Sequence, residues 1–265
     1  MIRSTVFNLY FYLLTLLAAL VGLLLAPIPS PAPLRALLHG WGRAVRWGMR
    51  WIGGMEIEVR GRQYLPKQGP ALLAGKHQCE IDAILLAADI PGIAFVAMKE
   101  LFRLPVIGTV LRRLHMIEAG SGGEKARAHF TRSARHACDG GRPIVIYPEG
   151  YLMSPGEHER YRSGIYYLYR DLDLPVTPVA TSVGLLWDRR SWRKRAGRAA
   201  FEFLPPIETG LDKDTFMRRL EAVTERASDR LIAEFSGRPC TPSRLVLRSQ
   251  GQTAPMPAAG STTFA

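Results

Sequence analysis

Cysteine is scarce in this chain. Cys79, Cys138 and Cys240 are the three among 265 residues. They are odd in number and share no metal-ligand spacing, which argues against a disulfide framework and against a zinc site, and fits a reducing compartment. Acidic side chains are also in short supply: 23 Asp and Glu stand against 35 Lys and Arg, a formal charge of +12. Such a balance calls for a polyanionic partner, either nucleic acid or an anionic membrane surface. No G-x-S-x-G occurs, so the nucleophile turn of a serine hydrolase is missing. Internal repeats are absent too. What is present is 47% apolar and 22% charged, which excludes a disordered chain and suffices for one α/β domain of about 200 residues with terminal appendages.

The first thirty residues separate the two polyanions. Val6 to Leu25 reads VFNLYFYLLTLLAALVGLLL, about 20 apolar positions and thus long enough for a bilayer core of about 30 Å. Arg3 is the sole charge in front of it and no A-x-A site follows directly, so a retained membrane helix is expected rather than a cleaved signal peptide. Pro27, Pro29, Pro31 and Pro33 then end the helix. From Leu34 to Ile52, Arg35, His39, Arg43, Arg46 and Arg50 fall within roughly one 80° arc at helical spacing. Leu34, Leu37, Leu38, Trp41, Val45 and Ile52 lie opposite. A basic stripe against a Leu and Trp face predicts a helix in the headgroup plane of an anionic membrane, and positive charge after the span predicts a cytoplasmic catalytic side. A second basic run, Arg189, Arg190, Arg193, Lys194, Arg195 and Arg198 with Trp187 and Trp192, suits RNA or membrane equally by composition. The apolar span decides for membrane over nucleic acid.

Beyond residue 54 the pattern alternates. Apolar, β-rich runs at 55–59, 71–74, 93–98, 143–147, 176–183 and 199–204 are separated by helical stretches, notably 124–137, 162–172 and 213–235. This predicts an α/β domain over 55–235, a sheet with helices on both faces. The membrane-docking helical part spans 1–54. Residues 236–265, rich in Pro, Gly, Ser and Thr, are expected to be a disordered tail.

Four blocks carry chemistry. In AGKHQCEIDAILL, His77 leaves a strand and Asp82 follows on the first turn of the next helix, a spacing in which the carboxylate can fix the tautomer of a general base. Cys79 reads as a small packing residue. Lys99, Arg103, Arg112 and Arg113 lie in the block from Met98, with Pro105 and Gly108 as punctuation. Glu149 is set between Pro148 and Gly150 at the end of an apolar strand, where sites assemble. The fourth block, DLPVTPVATSV, carries Pro178, which suggests an edge strand or a strand end.

Together, in this order, the blocks resemble the glycerolipid acyltransferase family, whose best-known members act on lysophosphatidic acid. His77 and Asp82 match its H-x4-D, Tyr147-Pro148-Glu149-Gly150 its aromatic-Pro-Glu-Gly, Lys99-Glu100-Leu101 with Pro105 and Gly108 its second block, and Leu174-Pro175-Val176 with Pro178-Val179 its fourth. The match runs from about Ile57 to Phe235, and the resemblance implies an α/β fold with a mixed, largely parallel sheet flanked by helices and a membrane-docking N-terminal helical motif. The resemblance implies transfer of a fatty acyl group from acyl-CoA or acyl-carrier protein as co-substrate, with no cofactor and no metal, to a lysophospholipid hydroxyl. It makes His77 and Asp82 the catalytic pair and places Glu149, Gly150 and Lys99 at the acceptor. Where many members continue Glu-Gly with Thr-Arg, Tyr151 and Leu152 stand here; where many carry an arginine after the second block, Glu118-Ala119-Gly120-Ser121 stand. Arg160 or Arg162 would then have to supply the phosphate contact, or the acceptor lacks a phosphate, as a lyso-aminolipid does.

Overall fold

The computed structural model describes residues 1–120, 123–188 and 191–246. Seven strands form one sheet in the order β1-β8-β7-β2-β5-β3-β4. They are β1 (Met55–Arg60), β2 (Leu72–Gly75), β3 (Ala94–Ala97), β4 (Ile117–Glu118), β5 (Ile144–Ile146), β7 (Val176–Thr181) and β8 (Gly197–Phe203). The pairs β2–β7, β2–β5, β3–β5, β3–β4 and β1–β8 are parallel, and β7–β8 is antiparallel. The mixed, largely parallel sheet is the one expected. Loops leaving β2, β3, β5 and β7 therefore gather at one edge of the sheet, where side chains from distant sequence meet.

Strand pleating divides the core. Leu73 and Val145 face one side, with Phe7, Val45, Met49, Ile81, Leu85 and Phe201. Leu72 and Ile144 face the other, with Phe130, Leu168, Phe216 and Leu220. The first side is covered by α1 (Ile2–Leu25), α2 (Ala32–Gly48) and α3 (Ile81–Asp89). The second is covered by α6 (Gly123–Asp139), α7 (Gly164–Leu172) and α8 (Lys213–Ser236). The short helices α4 (Lys99–Arg103) and α5 (Pro105–Arg113) join β3 to β4. Because both faces are covered, the central strands read as unbroken apolar runs.

Pro178 departs from expectation. It lies in β7, a central strand, paired with Ala74 of β2. Its neighbour Val179 accepts from Lys76 on the β2 side, so the proline nitrogen faces β8 instead. There the antiparallel ladder has already ended at Val179–Phe203, and no strand hydrogen bond is lost.

The N-terminal helices also differ from a free span followed by an interfacial helix. The 24 residues of α1 are long and apolar enough to cross a membrane by length and composition. Yet one face is docked on the domain along its length. Phe7 is fully buried against Trp187, Asn8 donates to the Trp192 carbonyl, Tyr10 to that of Ala44, and Trp41 donates to Thr15. The opposite face exposes Val6, Leu9, Leu13, Leu16, Leu17, Leu20 and Leu24. The helix α2 is held between α1 and α3, so its basic stripe is not uniformly turned outward. Arg46 pairs with Asp89 at 2.6 Å, His39 Nδ1 meets the Ala87 carbonyl, and Arg35 is half-buried; Arg43 and Arg50 stay exposed.

After Ser236 the chain keeps a defined course to Val246. Arg244–Leu245 forms β9 beside β6 (Glu157–His158), and Asp229 accepts hydrogen bonds from Ser243. The rest of the expected tail, 247–265, lies outside the described residues, as do Ser121, Arg189 and Arg190.

Candidate active site

His77 emerges from the carboxyl end of β2. Its Nδ1 lies 3.1 Å from Asp82 Oδ2. The same oxygen accepts the backbone N–H groups of Gln78 at 2.7 Å and Cys79 at 2.9 Å, while Oδ1 accepts the Cys79 thiol. Asp82 occupies the first turn of α3 and is fully buried; the His77 side chain keeps 20% of its surface open. A carboxylate that takes two main-chain donors and an imidazole is pinned in place. It holds the His77 proton on Nδ1 and leaves the Nε2 lone pair free. Burial followed by the Asp82 charge pushes the Cys79 thiol well above its ordinary range. That excludes it as a thiolate nucleophile.

Tyr147, at the end of β5, lays its ring on the imidazole, with centroids 3.9 Å apart and planes 15° from parallel. His77 is thereby fixed from one side by a carboxylate and from another by an aromatic face. The next residues turn sharply. Gly150 has φ +72° and its N–H bonds back to the Tyr147 carbonyl. A β-carbon there would press on the Arg162 guanidinium, so glycine serves both the backbone and the neighbour.

Glu149, expected at the acceptor, is buried beneath the His77 loop. Its side chain is fully buried, with Oε1 2.7 Å from Lys76 Nζ. Lys76, 1% exposed, also reaches Glu225 on α8 at 3.0 Å and the Glu157 carbonyl at 2.7 Å. Tyr161 donates to Glu225 at 2.7 Å, and the His77 and Glu159 N–H groups reach the Glu149 carboxylate at 3.4 and 3.2 Å. Burial raises Glu149 to about 7 against the lowering effect of Lys76, helped by the charge of Glu225. Two carboxylates around one ammonium in a dry site cannot both be cheaply ionised. In this structure Glu149 fastens the chain beneath His77 to Lys76, and its side chain is fully enclosed.

Arg162 is brought to the site. Its guanidinium lies over the Tyr151 ring at 4.7 Å and beside Gly150, and the Arg162 backbone N–H donates to the Pro148 carbonyl. Arg160 is exposed on the same loop and makes no ion pair among the described residues. Lys99 is exposed at the start of α4. It is on the same sheet edge, two strands from His77 or about 10 Å in the sheet. Sequence reasoning missed Lys76, Tyr161 and Glu225. A lysine beside the histidine was visible, but nothing in spacing links it to a carboxylate 149 positions away.

Comparison with known proteins agrees with the motifs. A family model described as Acyltransferase matches residues 56–182. The chain is 28% identical over 232 residues to a 1-acyl-sn-glycerol-3-phosphate acyltransferase of Pseudomonas aeruginosa, covering 85% of this chain and 90% of that protein. It is 25% identical over 203 residues to one of Limnanthes alba, covering 75% and 72%. The crystal structure of the 1-acyl-sn-glycerophosphate acyltransferase PlsC of Thermotoga maritima has a similar fold, with TM-score 0.69 at 18% identity over 88% of this chain and 98% of that one.

Proposed function

We propose that this chain, of the glycerolipid acyltransferase family by its motifs and by these comparisons, acylates the free hydroxyl of 1-acyl-sn-glycerol 3-phosphate, giving phosphatidic acid for phospholipid synthesis. The donor is the thioester of acyl-CoA or acyl-carrier protein. The observation that carries the reading is the pinned His77–Asp82 pair with its open Nε2, beside Gly150 and Arg162. His77 Nε2 takes the proton of the acceptor hydroxyl as that oxygen attacks the thioester carbonyl carbon. The C–S bond then breaks, and the leaving thiolate takes the proton back from the imidazolium, which Asp82 has stabilised meanwhile. The thioester is already activated, so no acyl-enzyme is required.

Arg162 supports a phosphate-bearing acceptor. It supplies the cation that Tyr151 and Leu152 cannot, and its planar fork matches a phosphate. The exposed leucine stripe of α1 supports membrane residence, with helix and domain seated together at one bilayer face, and the excess of Lys and Arg supports the cytoplasmic side. The basic run near residue 195 does not favour nucleic acid: Lys194 caps the Trp187 ring at 4.3 Å and Arg198 pairs with Glu58.

The test is turnover of purified full-length protein with acyl-CoA and lysophosphatidic acid. His77→Ala should lower kcat by about 10²–10⁴, and near-normal turnover overturns the mechanism. Arg162→Ala should raise KM for lysophosphatidic acid more than for a lysolipid without phosphate. Equal effects would make Arg162 a surface charge, and no use of lysophosphatidic acid at all would redirect the reading to a phosphate-free acceptor such as a lyso-aminolipid.

A further inference from the structure

At the sheet edge opposite His77, cationic groups collect that form no ion pair among the described residues. His115 immediately precedes Met116 and β4, and Arg142 lies two residues before β5, both at the amino ends of parallel strands. From Arg142 to Tyr147, beside His77, the chain runs five residues, about 17 Å. Arg142 is 5% exposed, and its guanidinium is held by the carbonyls of Gly92, Ile93 and His115 at 2.8 to 3.1 Å. The His115 and His136 rings stand 5.5 Å apart. Arg35 of α2 acts electrostatically on both Arg142 and His115, and Arg113 acts on His115.

None of these five side chains has an acidic partner among the described residues. The Arg35 Nε is enclosed and lacks a hydrogen-bond acceptor. A buried, unmade charged hydrogen bond is expensive. Burial and the surrounding cations push His115 below its ordinary pKa, and burial with Arg35 brings Arg142 down to about 10. Among the described residues, His115 is also one of two non-glycine residues with positive φ, at 51°, the backbone setting that directs its carbonyl to Arg142. Concentrated positive charge, one orphaned donor and two neighbouring imidazoles describe a site awaiting an anion.

We propose that Arg35, Arg113, His115, His136 and Arg142 form a second anion site, one that takes a phosphate group and is separate from the acyl-transfer centre. Its surroundings favour a lipid headgroup as the source of that phosphate. Arg113 donates to the Ile28 carbonyl in the α1–α2 connection, and next to it Leu23, Leu24 and Ile28 are exposed. A cationic cluster bordered by the open apolar end of a helix matches an amphiphile, with phosphate at the arginines and acyl chains on the leucines. Such a lipid would tie α2, α5 and α6 together at the bilayer face.

The experiment uses the full chain, histidine-labelled, in neutral detergent micelles, with the His115 and His136 ring resonances followed by NMR. The probes are short-chain phosphatidylglycerol and, separately, inorganic phosphate. A saturable shift of His115, with its titration midpoint moving upward, is expected. Arg35→Gln combined with His136→Gln should weaken that binding by about tenfold or more. Neither side chain holds Arg142, which is fixed by the Gly92, Ile93 and His115 carbonyls, so Arg142 and the fold stay intact, which an unchanged far-UV spectrum will confirm. Tighter saturation by phosphatidylglycerol than by inorganic phosphate supports the lipid source, and equal or tighter binding of inorganic phosphate overturns it. If neither probe gives a saturable His115 shift, the anion site is refuted. Because the readout is His115 and not turnover, loss of the acyl-transfer reading would leave this test unaffected.

Discussion

Replacing Lys76 by Met tests whether the buried ion group beneath His77 is what holds the catalytic loop. Lys76 Nζ is 2.7 Å from Glu149 Oε1 and 3.0 Å from Glu225 Oε2, and the side chains of the three are 1%, 0% and 10% exposed. At an effective dielectric of 20, one such contact is worth about 6 kcal/mol of Coulomb attraction before desolvation. Most of that is offset by taking the charges out of water, so the net value of the pair is small. Breaking it is another matter. Methionine fills the space but leaves two buried carboxylates facing each other, and losing one partner of a buried pair costs about 3–5 kcal/mol. For a chain of this size each kcal/mol lowers the midpoint of thermal unfolding by about 2–4 °C, so Lys76→Met should fall by about 6–20 °C. Activity should fall as well, because the His77 N–H contact with Glu149 is lost with the group. Circular dichroism melts in neutral detergent, with turnover measured in parallel, provide the assay. Adding Glu149→Gln should restore part of the loss, since a neutral amide needs no ammonium. A Lys76→Met midpoint within about 3 °C of the parent, or a double variant that simply adds two independent losses, would refute the account.

Other outcomes follow from the same geometry. Burial raises Glu149 to about 7 from an ordinary 4.5, so between those values the folded state holds more protons than the unfolded one. Stability should therefore fall as pH rises through that window, by on the order of 2 kcal/mol between pH 5 and 7, and level off above it. Urea midpoints of Glu149→Gln should lack that slope. Asp82→Asn should lower kcat by about 10²–10⁴ with little change in KM, because an amide cannot accept from His77, Gln78 and Cys79 together; a parent-like kcat would count against the pinned imidazole. Phe7→Ala should cost about 3–5 kcal/mol although it lies in the apolar N-terminal helix, since Phe7 is fully buried against Trp187. Leu16→Ser, on the outer face of the same helix, should leave stability unchanged and weaken vesicle binding; a destabilised Leu16→Ser would mean the outer face is core.

Local signals in this chain were sufficient for what depends on neighbours in sequence. Apolar runs of four to eight residues located the main strands, because strands buried on both faces keep no alternation to obscure. His77 and Asp82 are five apart, close enough that a strand end and one helical turn bring them together, so their pairing was readable before any tertiary structure. Spacing could not tell which side chains a buried charge selects across the fold. Lys76 reaches Glu225 across 149 positions and joins it to Glu149 in one buried group, which no spacing announced. The two-residue strands β4, β6 and β9 were invisible for a related reason: a pair of residues has no period, and only a partner strand defines it. Helical periodicity likewise showed that the α2 arginines share a face, but not what lies opposite. Docking between α1 and α3 decided that Arg46 meets Asp89 and that Arg35 joins Arg142, while Arg43 and Arg50 remain outside. A hydrophobic pattern records how much surface must leave water; only packing determines which neighbour covers it.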